Sequence, residues 1–273
     1  MTIAQILAAA AARGLERLDA QLLLLHALGR DANDRAWLLA HDHDLATPEV
    51  LQRFEDHSVR RLSGEPVAYL LGEKEFFGLP LQVDARVLVP RPDTETLVEW
   101  ALEQLPAGGS VLDLGTGSGA IALALAHARP DALVAAVDRS ADALAVASAN
   151  AQRLGLRVQF QQADWLQGVD GPYDLVVSNP PYIADADPHL AALVHEPLSA
   201  LAAGADGLDD LRTIVADAPA HLPPGGWLLL EHGHDQAEAV CALLRARGFV
   251  QVDSRRDLAG IARCSGGQWP ITG

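Results

Sequence analysis

Asn179-Pro180-Pro181-Tyr182 directly follows Tyr173-Asp174-Leu175-Val176-Val177-Ser178, an apolar run that reads as a buried strand. An amide, two prolines and a phenol therefore sit where a strand ends and a loop begins. Proline fixes φ and has no N–H, so two in a row stiffen the loop and leave carbonyl oxygens without local donors. Asn179 adds a side-chain acceptor, and Tyr182 adds an aromatic wall with a polar tip. Such a loop can accept both hydrogens of a planar –NH2 group, which suits substitution at an amide or exocyclic amine nitrogen. A plain rigid turn would explain the prolines but neither Asn179 nor Tyr182.

Three further sites precede it. Asp113-Leu114-Gly115-Thr116-Gly117-Ser118-Gly119 lies between a strand pattern and a helix pattern. Glycines there permit tight turning and close backbone approach, and the helix N-terminus offers free N–H groups, as a nucleotide-cofactor loop requires. The spacing is neither that of dinucleotide binders nor that of a P-loop. Asp138 ends the next strand, where a carboxylate can accept from both ribose hydroxyls; the bland alternative is a helix cap. Asp164-Trp165 follows the third strand. Asp164 there can accept from an adenine amino group and Trp165 can face the ring, or the two can be surface loop and core.

The elements that must hold these residues come in two styles. Residues 1 to about 74 read as a small helical bundle, with Leu22 to Leu25 and Leu28 as its apolar block. Asn33 can cap a helix over 35–40, and Thr47-Pro48-Glu49 pairs a capping Thr with Pro at the first helical position. Residues 75–90 read as a β-hairpin linker, with short apolar runs at Phe76-Phe77, Leu81/Val83 and Val87-Leu88-Val89. Asp93 or Thr94 can cap the helix after it. From Ser110 strand and helix patterns alternate to Asp253, which implies βαβ units and a mostly parallel, doubly wound α/β sheet over 91–273.

Composition narrows the possibilities. Apolar residues make up 49% of the 273, enough for a sizeable core. The net charge of −16, from 36 acidic and 20 basic residues, argues against a nucleic-acid binder that relies on bulk phosphate attraction. Arg53, Arg60, Arg61 and Arg91 read as scattered solvated arginines rather than a patch. The two cysteines, Cys241 and Cys264, have no metal-ligand or disulfide spacing, which fits a reducing cytoplasm. The N-terminal apolar stretch Ile3–Ala12 is too short to span a membrane. His41-Asp42-His43-Asp44 and Glu231-His232-Gly233-His234-Asp235 read as loop or strand-end polar residues, so no metal is expected. Gly266-Gly267-Gln268 reads as coincidence in a Gly-rich tail.

The order Gly-rich loop, acidic strand end, Asp-Trp, Asn-Pro-Pro-Tyr resembles class I S-adenosylmethionine-dependent methyltransferases acting on planar nitrogen. Gly64-Glu65-Pro66, Ala68-Tyr69-Leu70, Phe77-Gly78, Val87 to Glu95, Glu196-Pro197, Asp206-Gly207-Leu208 and Asp257-Leu258-Ala259-Gly260 with Arg263 extend the likeness. Together they resemble the release factor glutamine methyltransferase family. That resemblance implies a class I, Rossmann-like fold, an N-terminal helical domain for substrate recognition, and methylation of the glutamine in the Gly-Gly-Gln motif of peptide chain release factors. It assigns S-adenosyl-L-methionine to Asp113, Gly115, Thr116, Gly117, Ser118, Gly119, Asp138, Asp164, Trp165 and Asn179. It assigns the substrate glutamine to Asn179, Pro180, Pro181 and Tyr182, with Asn179, Pro180 and Tyr182 doing the chemistry. A cytoplasmic monomer is expected, with no direct nucleic-acid or membrane partner. The rivals are a ribosomal-protein glutamine methyltransferase and an adenine-N6 nucleic-acid methyltransferase, which would need a basic groove. Cys264 to Gly273 matches the family pattern least.

Overall fold

The computed structural model describes residues 1–271; the final two residues of the tail lie outside the described residues. The chain divides into two compact units, Met1–Glu73 and the chain from Lys74 onward.

The first unit comprises helices α1 (Ile3–Ala12), α2 (Arg17–Ala27), α3 (Arg35–Ala40), α4 (Pro48–Leu62) and α5 (Val67–Leu71). Its core gathers Ile3, Ile6, Leu23, Leu24, Leu25, Leu38 and Phe54. Thr2 opens α1 with a reciprocal capping box to Gln5, and Thr47 caps α4 with Pro48 in the first turn. The cap expected from Asn33 does not form. Asp34 occupies that position, and its carboxylate is bonded to Arg30 at 2.7 Å instead. Arg60 and Arg61 pair with Glu65 and Asp19, so neither contributes to a basic patch.

A hairpin of β1 (Glu73–Phe76) and β2 (Leu79–Gln82) begins at the last residue of the first unit and opens the second. Phe77 and Gly78 turn it with φ of 50° and 76°, the mirror-image turn whose twist matches the strands. The Val87-Leu88-Val89 run is not a strand. Val89 N–H donates to the Glu196 carboxylate at 3.0 Å and is lost to any ladder, while Val87 and Val89 bury their side chains. A 3-10 turn, Pro92–Thr94, then leads into α6 (Glu95–Gln104) without a side-chain cap.

The strands and helices that follow are β3 (Ser110–Leu114), α7 (Ala120–Ala128), β4 (Leu133–Asp138), α8 (Ala141–Leu154), β5 (Gln159–Gln162), β6 (Leu175–Ser178), α9 (Asp209–Asp217), β7 (Trp227–Glu231), α10 (Ala237–Arg247), β8 (Val250–Arg256) and β9 (Ala262–Gln268). They build a seven-stranded sheet in the order β5-β4-β3-β6-β7-β9-β8, parallel throughout except that β9 runs antiparallel to both neighbours. Both faces are covered. Val111 and Val177 pack with Leu97, Leu123 and Leu125 on one side, and Leu112, Leu114 and Val176 pack with Leu211, Ile214 and Val240 on the other. Among the described residues no helix is long and apolar enough to cross a membrane.

The chain leaves β3 first toward β4 and β5, then returns to β6 and β7. That reversal opens a crevice at the carboxyl ends of β3, β4 and β6, the place where open α/β sheets bind ligands.

The sequence reading contains no strand past Asp253, so β9 is a correction. Its Cys264-Ser265-Gly266-Gly267 stretch lacks β-branched residues because the neighbours leave no room. A Cβ on Gly266 would stand within 2.8 Å of Leu228 O and crowd Leu229 Cδ2 more closely still. Gln268 at the end of β9 donates Nε2 to Gly225 O at 2.9 Å and accepts from Gln251 at 2.6 Å.

Candidate active site

The Gly-rich loop is fixed from behind. Gly115 and Thr116 N–H both donate to Val137 O, at 2.9 and 3.0 Å, which pins the loop to β4. Asp113 is fully buried; its Oδ2 accepts from the Thr116 hydroxyl at 2.7 Å and from Ala122 N–H at 3.2 Å, at the start of α7. Its Oδ1 has no partner, and burial raises the carboxyl to about 7. Thr116 and Ser118 are buried as well. Asp113, Thr116, Ser118 and Gly119 therefore shape the loop, whereas Gly115 and Gly117 line the cleft in front of it.

Asp138 ends β4 at that cleft. Its Oδ2 accepts from Gly117 N–H and its Oδ1 from Ser140 N–H, both at 2.9 Å. The helix cap is Ser140, whose hydroxyl accepts from Ala143 N–H. Each carboxylate oxygen of Asp138 keeps a lone pair, so two hydroxyls can still be bound.

Asp164 and Trp165 line the same cleft. Trp165 adopts the left-handed region, φ 51°, and its indole N–H donates to Asp210 at 3.1 Å. Backbone strain of this kind needs an over-determined setting. Asp210 and the loop supply it: a Cβ on Gly115, itself at φ 70°, would meet the Trp165 ring at 3.1 Å. Gly115 lets the ring pack close against the loop.

The Asn179–Tyr182 loop forms the far wall. Asn179 Nδ2 donates to the Thr94 hydroxyl oxygen at 3.2 Å, and Oδ1 has no protein partner among the described residues. Asn179 lines two cavities at once: the large cleft and a second bounded by Arg91, Tyr182, Ile183, Leu193 and Leu201. Burial pushes the Tyr182 phenol well above its ordinary value, and its hydroxyl lies 3.4 Å from Glu231. Gln236 Nε2 donates to Tyr182 O at 3.0 Å and braces the loop against Asp206 and Gly207.

Some lining residues carry no sequence signal of their own. Arg86, Ser199 and Ala200 wall the cleft, the last two from a 3-10 turn, beside Val87 and Leu88 from the run that is not a strand. Glu196 and Arg91, part of the quoted resemblance, turn out to be an ion pair at 2.5 Å that fastens the two segments together. Of the two histidine clusters, His41 stacks on Trp37 in the helical unit, while Glu231-His232 ends β7 beside the Asn179–Tyr182 loop, with His232 buried against Ser265 at 2.8 Å. Cys241 and Cys264 are both buried free thiols.

The sequence profile of the methyltransferase small domain matches residues 92–246, and that of the PrmC N-terminal domain matches residues 2–72. The release factor glutamine methyltransferase of Bordetella pertussis is 54% identical over 260 residues, covering 93% of this chain and 95% of that protein. The protein of the same name from Xylella fastidiosa is 49% identical over 270 residues, 97% of each. Among solved structures, a methyltransferase from Pyrococcus furiosus shares the fold with a TM-score of 0.56 at 20% identity, covering 80% of this chain and 100% of that one.

Proposed function

This chain belongs to the release factor glutamine methyltransferase family, and from that premise we propose that it methylates the side-chain amide nitrogen (N5) of the glutamine in the Gly-Gly-Gln motif of peptide chain release factors. The observation that carries the reading is Asn179, standing between two cavities with its Oδ1 unengaged and its Nδ2 held by Thr94.

The large cleft suits S-adenosyl-L-methionine. Asp138 retains acceptor capacity for two ribose hydroxyls, Trp165 offers an aromatic face for adenine, and the bare Cα of Gly115 and Gly117 allows close approach. When bound, this cofactor supplies an electrophilic methyl group. An amide nitrogen is a weak nucleophile, because its lone pair is delocalised into the carbonyl. The protein compensates by orientation. Asn179 Oδ1, at the second cavity, and the carbonyl of the next residue, Pro180, would each accept one N–H of the glutamine amide. The Tyr182 ring walls its plane, and the two acceptors favour the positive charge that grows on the nitrogen. Positioning of this kind can supply about 7–11 kcal/mol. The proton is lost to water once the nitrogen is alkylated and acidic, so no side chain has to act as base.

We assign partner recognition to the helical unit, the part of the chain that the N-terminal family profile matches, and read the enzyme as a cytoplasmic monomer without nucleic-acid contacts. The deciding experiment offers radiolabelled cofactor with purified release factor, ribosomal protein or DNA. Label on the release factor, absent when its motif glutamine is changed, is expected. Label on ribosomal protein or DNA in preference overturns the reading.

A further inference from the structure

Glu231 sits at the C-terminal end of β7, behind the Asn179–Tyr182 loop, and is 1% exposed. The sheet register brings it there: Leu230 pairs with Ser178, the residues immediately before Glu231 and Asn179. Its Oε2 has no hydrogen-bond partner and its Oε1 faces the Tyr182 hydroxyl at 3.4 Å. A buried carboxyl so sparsely satisfied is costly to keep. No step of the methyl transfer described above uses it.

Its other neighbour is Thr94, buried at 4%, whose hydroxyl favours the ionised carboxyl without making a hydrogen bond of full geometry to it. The same oxygen accepts from Asn179 Nδ2. A hydroxyl has one proton to give and two lone pairs. When Thr94 gives its proton to Glu231, it can only accept from Asn179. The Asn179 amide must then turn its –NH2 toward Thr94 and its oxygen toward the cavities. Without that constraint a primary amide can present either end, and the –NH2 end cannot accept from a substrate amide.

We propose that Glu231 is a positioning residue: through Thr94 it sets which end of the Asn179 amide faces the cavities, and through the Tyr182 hydroxyl it fixes the ring beside it. The role rests on methyl transfer to a planar amide as proposed above. Ionised Glu231 accepts from both hydroxyls most strongly, because hydrogen bonds to a charged acceptor are the stronger ones. Burial raises its carboxyl to about 7, with the Asp93 charge adding to the rise, while Thr94, Tyr182 and Arg263 oppose it. The groups around it are Asp93 before α6, Tyr182 on the loop, Arg263 and Cys264 on β9, and His232 next in the chain. Burial holds the His232 imidazole toward its neutral form and the Cys264 thiol toward its protonated form.

The test compares wild type, E231Q, T94V, T94S and the E231Q/T94V double variant on release-factor substrate. E231Q and T94V should each lower kcat about tenfold or more with cofactor Kd unchanged, and T94S should retain most turnover. The double variant should be no worse than the worse single one, because both act through Asn179. The acid limb of the wild-type kcat profile, centred near pH 7, should vanish in E231Q. Multiplicative losses, a limb that persists in E231Q, or loss of cofactor affinity in step with kcat overturns the proposal.

A second measurement needs no turnover and no folded variant at Glu231. The chain has three tyrosines, so ¹³Cζ-tyrosine labelling gives three signals, with Tyr182 identified by Tyr182→Phe. The Tyr182 signal should titrate with a midpoint near 7 in the wild-type protein. A Tyr182 signal that stays flat from pH 5 to 9 overturns the coupling. If wild type methylates no release factor while that signal titrates, the functional reading fails and the Glu231–Tyr182 contact stands.

Discussion

Asp138→Asn separates binding from chemistry more sharply than other changes at this site. The wild-type carboxylate accepts two backbone N–H groups at 2.9 Å each and has two lone pairs left for ribose. Asparagine keeps the shape but replaces one oxygen with a donor. That donor must face either Gly117 N–H or Ser140 N–H, where two hydrogens would point at each other. One internal bond and one ribose bond are lost together. Each hydrogen bond to a charged acceptor is worth about 1.5–3 kcal/mol, so losing only the ribose bond already weakens the cofactor about ten- to a hundredfold. Asp138 touches no group proposed to handle the glutamine, so kcat at saturating cofactor should stay within about threefold of wild type. Calorimetric titration with S-adenosylhomocysteine gives the affinity without turnover, and steady-state assays at high cofactor give kcat. A Kd within about twofold of wild type, or a kcat that falls while Kd holds, would refute the assignment of Asp138 to the ribose.

Three further outcomes are expected. Asn179→Ala should cut turnover by about a hundredfold or more while cofactor Kd moves little; near-normal turnover in a radiolabel assay would remove Asn179 from the mechanism. Gly266→Ala must push a methyl group against Leu229 and Leu228 O and should cost about 1–3 kcal/mol, read as a fall of several degrees in Tm; an unchanged Tm would contradict the packing of β9. Glu231 also predicts a pH slope. With the folded-state carboxyl at about 7 against an ordinary 4.5, the penalty is absent below pH 4.5, grows as the unfolded chain ionises, and levels off above pH 7 at about 3 kcal/mol. Urea unfolding of E231Q should therefore gain on wild type as pH rises from 4.5 to 7.5, and parallel curves would mean the buried carboxyl is not strained.

What the sequence disclosed follows from range. The alternation of strand and helix is local, and so are the Gly-rich turn and the Asn-Pro-Pro-Tyr turn; each lands at a strand end because the pattern around it says so. Asp138 and Trp165 were legible for the same reason. The contacts that hold these residues in place are not local. Asn179 meets Thr94 across 85 positions, and Arg91 meets Glu196 across 105. The separation of Asp113, Thr116 and Ser118, which are buried, from Gly115 and Gly117, which face the cleft, depends on which way each residue of one loop points. The strand β9 escaped because its glycines answer to Leu228, Leu229 and Phe249 on neighbouring elements, not to any β propensity of their own.

That strand has a consequence for selectivity. The protein carries Gly266-Gly267-Gln268, the very tripeptide it is proposed to modify, in an interior strand of its own catalytic unit. There the glutamine nitrogen already donates to Gly225 O, and both glycines are locked into the sheet. A target must arrive with two unspent amide hydrogens on a segment loose enough to reach into a cavity. The fold thus withholds its own copy by keeping it occupied, and the difference between bystander and substrate is one of conformation, with letters in common.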